Sequence, residues 1–257
     1  MRMSIRPGAM VFAVAQSRSV AGDIEANVQR HLRFMETAAG HGADFLMFPE
    51  LSLTGYEPTV ARDLALTIHD PRLQPIRDMA RELKMVTVVG APLRSAIPGE
   101  VLIAALVCRP DGGGELYSKQ HLHSGEESVF SAGTGGAPVD IGGERLGLAV
   151  CADFSLASHA RKAAEAGATL YAASVLISGG GYEHDAGLLS GYARTHGMSV
   201  LMANYAGVTG GWTSGGRSAL WDENGELVAE MPGAQEGLLF AQRTDDGWSA
   251  TTVAVAL

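Results

Sequence analysis

Short apolar runs alternate with amphipathic stretches along most of this chain, and that alternation limits the fold more than any other feature. Apolar runs stand at 10–16, 44–50 and 85–92, the first of them with β-branched residues, and helical patterns lie between them. A run of this length without alternating polar residues is typical of a strand that is covered on both faces. Strands that alternate with helices predict an α/β fold.

Two helices are predicted between these runs from the spacing of their apolar residues. The first lies within 21–42, with Asp23 as its expected N-cap and Gly40 or Gly42 as its expected stop. Its core face follows spacings of three and four: Val28, Leu32, Met35 and Ala39. The second covers 71–84, and its apolar residues share one face in the same way: Leu73, Ile76, Met79, Ala80 and Leu83.

Hairpins enter in the middle of the chain. Strand patterns at 101–108 and 115–120 flank the turn PDGGG, and a second pair flanks the turn GGE further on. Helix–strand alternation then resumes, with one helix expected around Asp185–His196, and the tail returns to hairpins. No repeat or linker-like segment interrupts this order, so residues 1–257 are interpreted as one domain with a mixed sheet.

Composition sets limits on partners and compartment. The net charge of −9 argues against nucleic acid as the main partner, because a phosphate backbone demands a basic surface. No apolar run approaches the roughly 18 residues that span a bilayer, and the N-terminal run at 10–16 is too short for a signal peptide. Two cysteines do not make a disulfide framework. We therefore expect a reduced, cytoplasmic protein with no membrane partner.

Three reactive side chains stand where predicted strands end. Glu50 closes FLMFPE, Lys119 lies in ELYSKQHL, and Cys151 closes LGLAVC. Ligand sites of α/β sheets lie outside strand ends, where loops converge. Each residue alone has an ordinary structural explanation, because a single cysteine is most often a buried apolar side chain and a lysine most often a solvated charge.

The three residue types together suit nucleophilic catalysis. A thiol is mostly protonated at neutral pH and needs a base to become a strong nucleophile, a role open to Glu50. The Lys119 ammonium could hold the charge of the thiolate or of an oxyanion. The backbone N–H of Ala152, directly after Cys151, is the natural second donor to that oxyanion.

The segments around these residues resemble the nitrilase, or carbon–nitrogen hydrolase, superfamily. FLMFPELSLTGY is similar to the glutamate motif of that family, YSKQHL to its lysine motif and GLAVCADFS to its nucleophile motif, in the family's order. The resemblance runs over roughly residues 10–240. It implies a four-layer α-β-β-α sandwich with two mixed sheets, and hydrolysis of a non-peptide C–N bond through a cysteine thioester.

The resemblance also implies roles and partners. Cys151 would be the nucleophile, Glu50 the general base and Lys119 the cation of a triad that needs no metal or organic cofactor. Family members commonly pair through a helical face, so a homodimer or a larger homo-oligomer is expected. The substrate is expected to be a small amide or carbamoyl compound, because the run Cys-Ala-Asp is more similar to the amidase branch than to the nitrile-hydrolysing branch.

A second active-site glutamate is common in the family after the lysine, and this chain offers Glu126 and Glu127. Spacing to Phe130 and Gly133 favours Glu126 as that catalytic residue, but the adjacent acid leaves the choice open. Other residues are candidates for lining the substrate pocket: Tyr56, Glu127, Ser174 and Tyr182, with Glu183 and His184 beside Tyr182 in the glycine-rich segment ISGGGYEHD.

Some residues depart from the family pattern or invite another explanation. Relatives often carry an aromatic residue after the nucleophile, where this chain has Ala152, so we expect a more open pocket there. His121 and His123 would share one face of a strand, but no acid or thiol at zinc-like spacing accompanies them, and no metal site is predicted. Cys108 is interpreted as a core thiol. The alternatives that remain are a nitrilase or an N-acyltransferase with the same triad, and a family member that binds without catalysis.

Overall fold

The computed structural model describes residues 9–255, and strands predominate in that range. The α-helices are α1 (Ile24–Gly40), α2 (Ala61–Leu64), α3 (Gln74–Glu82), α4 (Ala157–Glu165) and α5 (Tyr182–His196). The strands are β1 (Val11–Gln16), β2 (Phe45–Met47), β3 (Val86–Arg94), β4 (Val101–Cys108), β5 (Gly114–Ser118), β6 (Val139–Ile141), β7 (Glu144–Val150), β8 (Leu170–Val175), β9 (Ser199–Asn204), β10 (Val208–Thr209), β11 (Trp212–Thr213), β12 (Ala219–Trp221), β13 (Leu227–Glu230), β14 (Gly237–Thr244) and β15 (Gly247–Ala254). The expectation about a signal peptide rests partly on residues 1–8, which lie outside the described residues.

Two mixed sheets, of seven and six strands, hold most of these strands. The first has the order β15-β14-β1-β2-β3-β4-β5 and the second the order β13-β12-β9-β8-β7-β6. Three neighbouring strands are parallel at the centre of each sheet, namely β1, β2 and β3 in the first and β7, β8 and β9 in the second. Antiparallel strands flank them on both sides. Strands β10 and β11 form a separate ribbon.

The two sheets face each other across an apolar core and carry helices on their outer faces. Phe12 of β1 and Leu148 of β7 belong to the inner core, to which both sheets contribute. Phe34 of α1 and Ile76 of α3 belong to the core on the outer face of the first sheet. Leu189 of α5 belongs to the core on the outer face of the second sheet. This is the four-layer α-β-β-α sandwich that the resemblance predicted.

Helix α1 begins and ends where its sequence signals predict. Oδ1 of Asp23 accepts a hydrogen bond from the N–H of Ala26 at 2.9 Å, as an N-cap does. The helix ends at Gly40, one of the two predicted stops. None of the helices within residues 9–255 is both long enough and apolar enough to cross a membrane.

The buried face of α1 differs in part from the predicted one. Leu32 and Ala39 are only half-buried, whereas Val28 and Met35 are buried as predicted. The rest of the buried face was not predicted, and two of its members are polar: Ile24, Asn27, His31, Phe34 and Ala38. The polar members tolerate burial because hydrogen bonds satisfy them. An apolar pattern alone could not identify them.

The start of one helix and three strands in the second half differ from the prediction. Helix α5 begins at Tyr182 rather than near Asp185, so the end of the glycine-rich segment is the first turn of a helix. The ribbon of β10 and β11 was not predicted, because each strand has only two residues. Strand β15 was also missed, since its mostly half-exposed sequence GWSATTVA contains no apolar run.

Gln16, at the end of β1, connects the two sheets through its side-chain amide. Its Nε2 donates to the carbonyl oxygens of Gly233 at 2.8 Å and Gln235 at 2.7 Å. Its Oε1 accepts from the N–H of Ser218, just before β12, at 2.8 Å. Because Gln16 is fully buried, these bonds fix the relative position of the sheets without leaving a polar group unpaired.

Candidate active site

The structure brings Glu50, Lys119 and Cys151 to neighbouring strand ends. Glu50 follows β2, Lys119 follows β5 and Cys151 follows β7. Nζ of Lys119 donates to Oε1 of Glu50 at 2.7 Å and to Oε1 of Glu126 at 2.8 Å. At most 1% of each of these charged side chains is exposed. One buried cation therefore lies between two buried carboxyl groups.

A glycine in the adjacent strand makes room for the turn that carries Glu50. A Cβ atom on Gly90, in β3, would lie 2.3 Å from the backbone nitrogen of Leu51. The carbonyl of Gly90 accepts from the N–H of Leu53 at 2.9 Å, and its own N–H donates to Oγ of Ser52 at 3.1 Å. The backbone that presents Glu50 is thus held by a close approach that only glycine permits.

Cys151 has a left-handed backbone conformation, with φ of 44°. It is the first residue of a 3₁₀ turn, Cys151–Ser155, which we call the nucleophile turn. Residues other than glycine rarely adopt this conformation, and such strain is concentrated at functional sites. The thiol donates a hydrogen bond to the carbonyl oxygen of Leu176 at 3.8 Å and forms part of a cavity wall.

Asp153 connects the nucleophile turn to residues 117–121, which we call the lysine segment. Its Oδ1 accepts from the N–H groups of Gln120 at 3.0 Å and His121 at 2.9 Å. Its Oδ2 accepts from the hydroxyl of Tyr117 at 2.6 Å and from the last N–H of β7 at 3.1 Å. The carboxylate is fully buried, so these four bonds align the two segments in the interior.

Burial dominates the electrostatics of the site. Burial raises the pKa of Glu50; Lys119 opposes this shift and Glu126 adds to it. Burial and then the charge of Glu50 raise the pKa of the Cys151 thiol, against the opposing effect of Lys119. Burial by itself lowers the pKa of Lys119, but its acidic neighbours outweigh that effect and raise it overall. The resting site therefore holds a thiol and an ammonium group at neutral pH.

Glu126 is the glutamate that contacts Lys119, and Glu127 is not. Besides the bond from Lys119, Oε1 of Glu126 accepts from the hydroxyl of Tyr56 at 2.9 Å. Oε2 of Glu126 accepts from the N–H of His123 at 2.8 Å. The side chain of Glu127 is exposed and accepts from a nearby backbone N–H.

A cavity of about 140 Å³ opens beside these groups. Its wall includes five residues that the sequence placed in the site: Glu50, Tyr56, Glu126, Cys151 and Ala152. It also includes residues that were not predicted to line it, among them His123, Phe154, Leu176, Ile177, Asp185 and Trp212. Phe154 lies within the nucleophile motif GLAVCADFS and could have been inferred. Trp212 lies in the unpredicted ribbon, and no sequence signal placed it near the cavity.

Three residues predicted to line the substrate pocket lie elsewhere. Glu127 faces solvent outside the cavity wall. Ser174 is buried, and its hydroxyl donates to the carbonyl oxygen of Phe48 at 2.9 Å. The hydroxyl of Tyr182 donates to the carbonyl oxygen of Arg217 at 2.7 Å, and this ring borders a different surface cavity. We correct the predicted lining accordingly.

The histidines of the lysine segment and its surroundings have separate environments. Nδ1 of His121 lies 3.0 Å from Oδ1 of Asp153, and the ring of His123 meets that of Trp212 edge-on, with 6.1 Å between centroids. His159 is buried, with Nε2 at 2.7 Å from the hydroxyl oxygen of Tyr117. Over the described range 9–255, no group of three or more His, Cys, Asp or Glu side chains could hold a metal ion.

Comparison with known proteins identifies one matching family model and several relatives. Residues 12–252 match the family model for carbon–nitrogen hydrolases. An (R)-stereoselective amidase from Pseudomonas sp. is 31% identical over 148 residues, which cover 57% of this chain and 53% of that protein. A glutamine-dependent NAD(+) synthetase from Acinetobacter baylyi is 23% identical over 241 residues, which cover 90% of this chain and 43% of that protein. The chain thus spans about half the length of these curated relatives.

Solved structures of an amidase from Nesterenkonia sp. AN1, a member of the nitrilase superfamily, share this fold. A cysteine-to-alanine variant in complex with butyramide gives a TM-score of 0.84 at 26% identity, covering 93% of both chains. Another variant, with the acetamide moiety of fluoroacetamide added covalently at the active-site cysteine, gives 0.83 at 26% identity, covering 93% of this chain and 92% of that chain. Since the family model matches nearly all of the described residues and the fold agrees, the chain belongs to the carbon–nitrogen hydrolase family.

Proposed function

We propose that this protein hydrolyses a small amide or carbamoyl compound to an acid and ammonia or an amine, through a thioester on Cys151. The observation that carries the proposal is the buried Lys119 ammonium between Glu50 and Glu126, beside a thiol that lines a cavity. The related amidase supports it, because variants of that enzyme bind butyramide and carry a covalent group on the active-site cysteine.

The first half of the reaction would transfer the acyl group to sulfur. Ionised Glu50 takes the proton of Cys151 as Sγ attacks the carbonyl carbon, and the C=O π electrons move to oxygen. The Lys119 ammonium and the N–H of Ala152 stabilise the oxyanion of this tetrahedral intermediate. As the intermediate collapses, the C–N bond breaks, and Glu50 returns the proton to the departing nitrogen. Ammonia or an amine leaves, and a thioester remains.

The second half would return the enzyme to its resting state. Glu50, ionised again, takes a proton from a water molecule whose oxygen attacks the thioester carbonyl. The same donors, Lys119 and Ala152, stabilise the second oxyanion. The C–S bond then breaks, the acid leaves, and Glu50 gives its proton back to Sγ of Cys151. One amide and one water molecule are consumed in each cycle.

Glu126 would act by keeping Lys119 charged and in place. Its carboxylate fixes the ammonium at 2.8 Å and also holds Tyr56 in the cavity wall. With Lys119 and two carboxylates in contact, proton transfer from Cys151 to Glu50 leaves the total charge of the cluster unchanged. A buried site favours such a transfer, because no net charge has to be created in a low-dielectric interior.

Release of ammonia from small amides tests the proposal. We expect the wild-type protein to release ammonia from at least one member of a panel of short aliphatic amides and carbamoyl compounds. Cys151→Ala should lower that rate by at least about a thousandfold, because the nucleophile is removed. Mass spectrometry of the wild-type protein during turnover should show the acyl adduct on Cys151.

Cys108→Ala is the matched control, since Cys108 is the second free thiol and is buried in β4, away from the cavity. This variant should keep wild-type activity. Full activity of the Cys151→Ala variant would overturn the proposal. Turnover of nitriles alone, or acyl transfer to added hydroxylamine without hydrolysis, would replace it with the nitrilase or the acyltransferase. A folded protein inactive on the whole panel would favour a binding role.

The family resemblance extends the proposal to the organisation of the protein. Residues 1–257 would form one hydrolase domain, and the family match over 12–252 supports this. The domain would assemble as a homodimer or a larger homo-oligomer in the cytoplasm. A nucleic-acid partner is not expected, in keeping with the net charge of −9.

A further inference from the structure

The carboxylate of Asp185 lines the active-site cavity and has no partner of its own. Asp185 lies in the first turn of α5, half-buried in the cavity wall. No hydrogen bond or salt bridge to this carboxylate is formed by any group in residues 9–255. Burial raises its pKa, and the neighbouring His184 offsets this only in part. Within residues 9–255, His184 is thus the one charged neighbour that stabilises the ionised form of Asp185.

Among residues 9–255, no lysine or arginine neutralises Asp185 in the cavity. Neither lysine nor arginine belongs to the wall in the part of the chain that the structure describes. Lys119 is fully buried and is already engaged by Glu50 and Glu126, which are the other carboxyl groups of the wall. A concave site with an excess of negative charge attracts a cationic ligand.

The indole of Trp212 adds a second feature that suits a cation. Trp212 belongs to the wall of the same cavity and is 44% exposed. The face of an indole attracts an ammonium group more strongly than the ring of tyrosine or phenylalanine does. The cation–π contacts found among the described residues involve Tyr182 and Trp248, so no arginine or lysine of that range covers the indole of Trp212, whose ring meets His123 edge-on.

A purely structural role for Asp185 would be shared by its neighbour Glu183. Negative charge in the first turn of a helix is favourable, whatever lies in front of it. Glu183 occupies the same turn of α5 but lies outside the cavity wall and pairs with Nη1 of Arg217 at 2.6 Å. A role in binding a ligand, by contrast, would belong to Asp185 alone.

We propose that Asp185 selects amides that carry an ammonium group on the acyl side of the scissile bond. The ammonium is placed on the acyl side for primary amides, because their leaving group, ammonia, carries no substituent. In the complex, the amide carbonyl lies at Sγ of Cys151, while the ammonium pairs with Asp185 beside Trp212. This inference deepens the proposed function and rests on it for the placement of the carbonyl.

Three pairs of amides with equal numbers of heavy atoms test the selection. They are glycinamide with propionamide, 3-aminopropanamide with butyramide, and 4-aminobutanamide with pentanamide, so that an ammonium replaces a methyl in each pair. In at least one pair, wild-type kcat/KM should favour the ammonium member by about tenfold or more, as expected for a charge-assisted contact. Asp185→Asn should abolish this preference, because the KM of the ammonium members rises. Glu183→Gln should keep the preference.

Binding separates this inference from the proposed reaction. The Cys151→Ala protein cannot form a thioester, and calorimetry on it measures the Kd of each amide directly. With Asp185 present, the ammonium member of the best pair should bind about tenfold tighter than its neutral partner. In the double variant with Asp185→Asn, the two should bind equally.

Each outcome has a defined meaning. Equal binding of both members in all three pairs by the Cys151→Ala protein overturns the inference, and so does a preference that survives Asp185→Asn. An equal loss of preference in Glu183→Gln also overturns it, because the effect would then belong to the helix. Preserved ammonium binding without turnover in the wild type overturns the proposed hydrolysis and leaves Asp185 as a ligand-binding residue.

Discussion

Glu126 and Glu127 are adjacent in the chain, yet one is buried against Lys119 and the other faces solvent. Glu126→Gln keeps the size of the side chain but removes its charge from a buried ion pair. We expect kcat/KM for a small amide to fall by at least about a hundredfold, because Lys119 is then less well held where the oxyanion forms.

Glu127→Gln is the matched control for this prediction, since the chemical change is the same one position along the chain. Its kcat/KM should stay within about twofold of the wild-type value, as is usual for an exposed side chain. Steady-state ammonia release measures both variants. Equal losses in the two variants would contradict the assignment of Glu126 to the site.

Among single residues, the sequence predicted those that lie inside motifs. Glu50, Lys119 and Cys151 were each identified by a strand end and a recognisable context, and the structure brings them together. Asp185 and Trp212 were not predicted to line the cavity, because their position depends on how distant segments meet. Ser174 was misplaced, because a strand end indicates proximity to a site but does not fix the direction of the side chain.

Asp153 joins the nucleophile turn to the lysine segment, and the alignment of these two segments determines the geometry of the site. The carboxylate of Asp153 now accepts hydrogen bonds from backbone N–H groups and a hydroxyl. Asp153→Asn would place an amide N–H₂ group, which is itself a donor, against some of these donors. We expect kcat to fall by about tenfold or more with a smaller change in KM, since small misplacements of reacting groups are costly and Asp153 itself does not line the cavity. Steady-state kinetics resolve the two constants.

Tyr117→Phe is a graded control for the same contact, because it removes a single one of the hydrogen bonds to Asp153. Its loss in kcat should be smaller than that of Asp153→Asn. A change confined to KM in either variant would argue for substrate contact instead of alignment. Thermal unfolding of both variants verifies that the fold is kept.

Element prediction succeeded where apolar runs were long and failed where elements were short or mixed. Strand β4 coincides with the predicted residues 101–108. The ribbon of β10 and β11 and the half-exposed β15 carry too few apolar residues to produce a pattern. His31 was not predicted to lie on the buried face of α1. It is buried there because each ring nitrogen has a hydrogen-bond partner.

The stability of the whole molecule should depend on pH through His31. In the neutral ring, Nδ1 donates to the carbonyl oxygen of Asn27 at 2.7 Å, and Nε2 accepts from the hydroxyl of Ser52 at 2.9 Å. Burial lowers the pKa of His31 from 6.5 to about 4. Between these values the unfolded chain binds a proton that the native state does not, so the free energy of unfolding falls as pH falls.

This contribution should reach on the order of 3 kcal/mol by about pH 4, at 1.36 kcal/mol for each unit of pKa difference. Urea denaturation at pH 7, 6 and 5 measures it. His31→Gln should remove this part of the pH dependence, while the same change at the exposed His69 should retain it. Parallel curves for the wild type and His31→Gln would contradict the prediction.

The layered architecture was predicted by family resemblance, while the pattern of residues predicted only an α/β class with a mixed sheet. Two facing sheets depend on contacts between remote parts of the chain. Gln16 and Ser218, for example, are 202 positions apart and meet through one hydrogen bond. No local pattern encodes such a pairing, since both residues are polar and each lies at the end of an ordinary apolar strand.

Gly90 packs directly against the turn that carries Glu50, and no space for a side chain remains between them. Any larger residue there would press on the backbone nitrogen of Leu51 and displace the neighbouring carboxyl group. The cavity wall also includes side chains from other elements, such as Trp212 and Asp185, which do not belong to that turn. Descendants of this protein could therefore diverge in the compounds they accept, one side chain at a time, while inheriting an unaltered reaction.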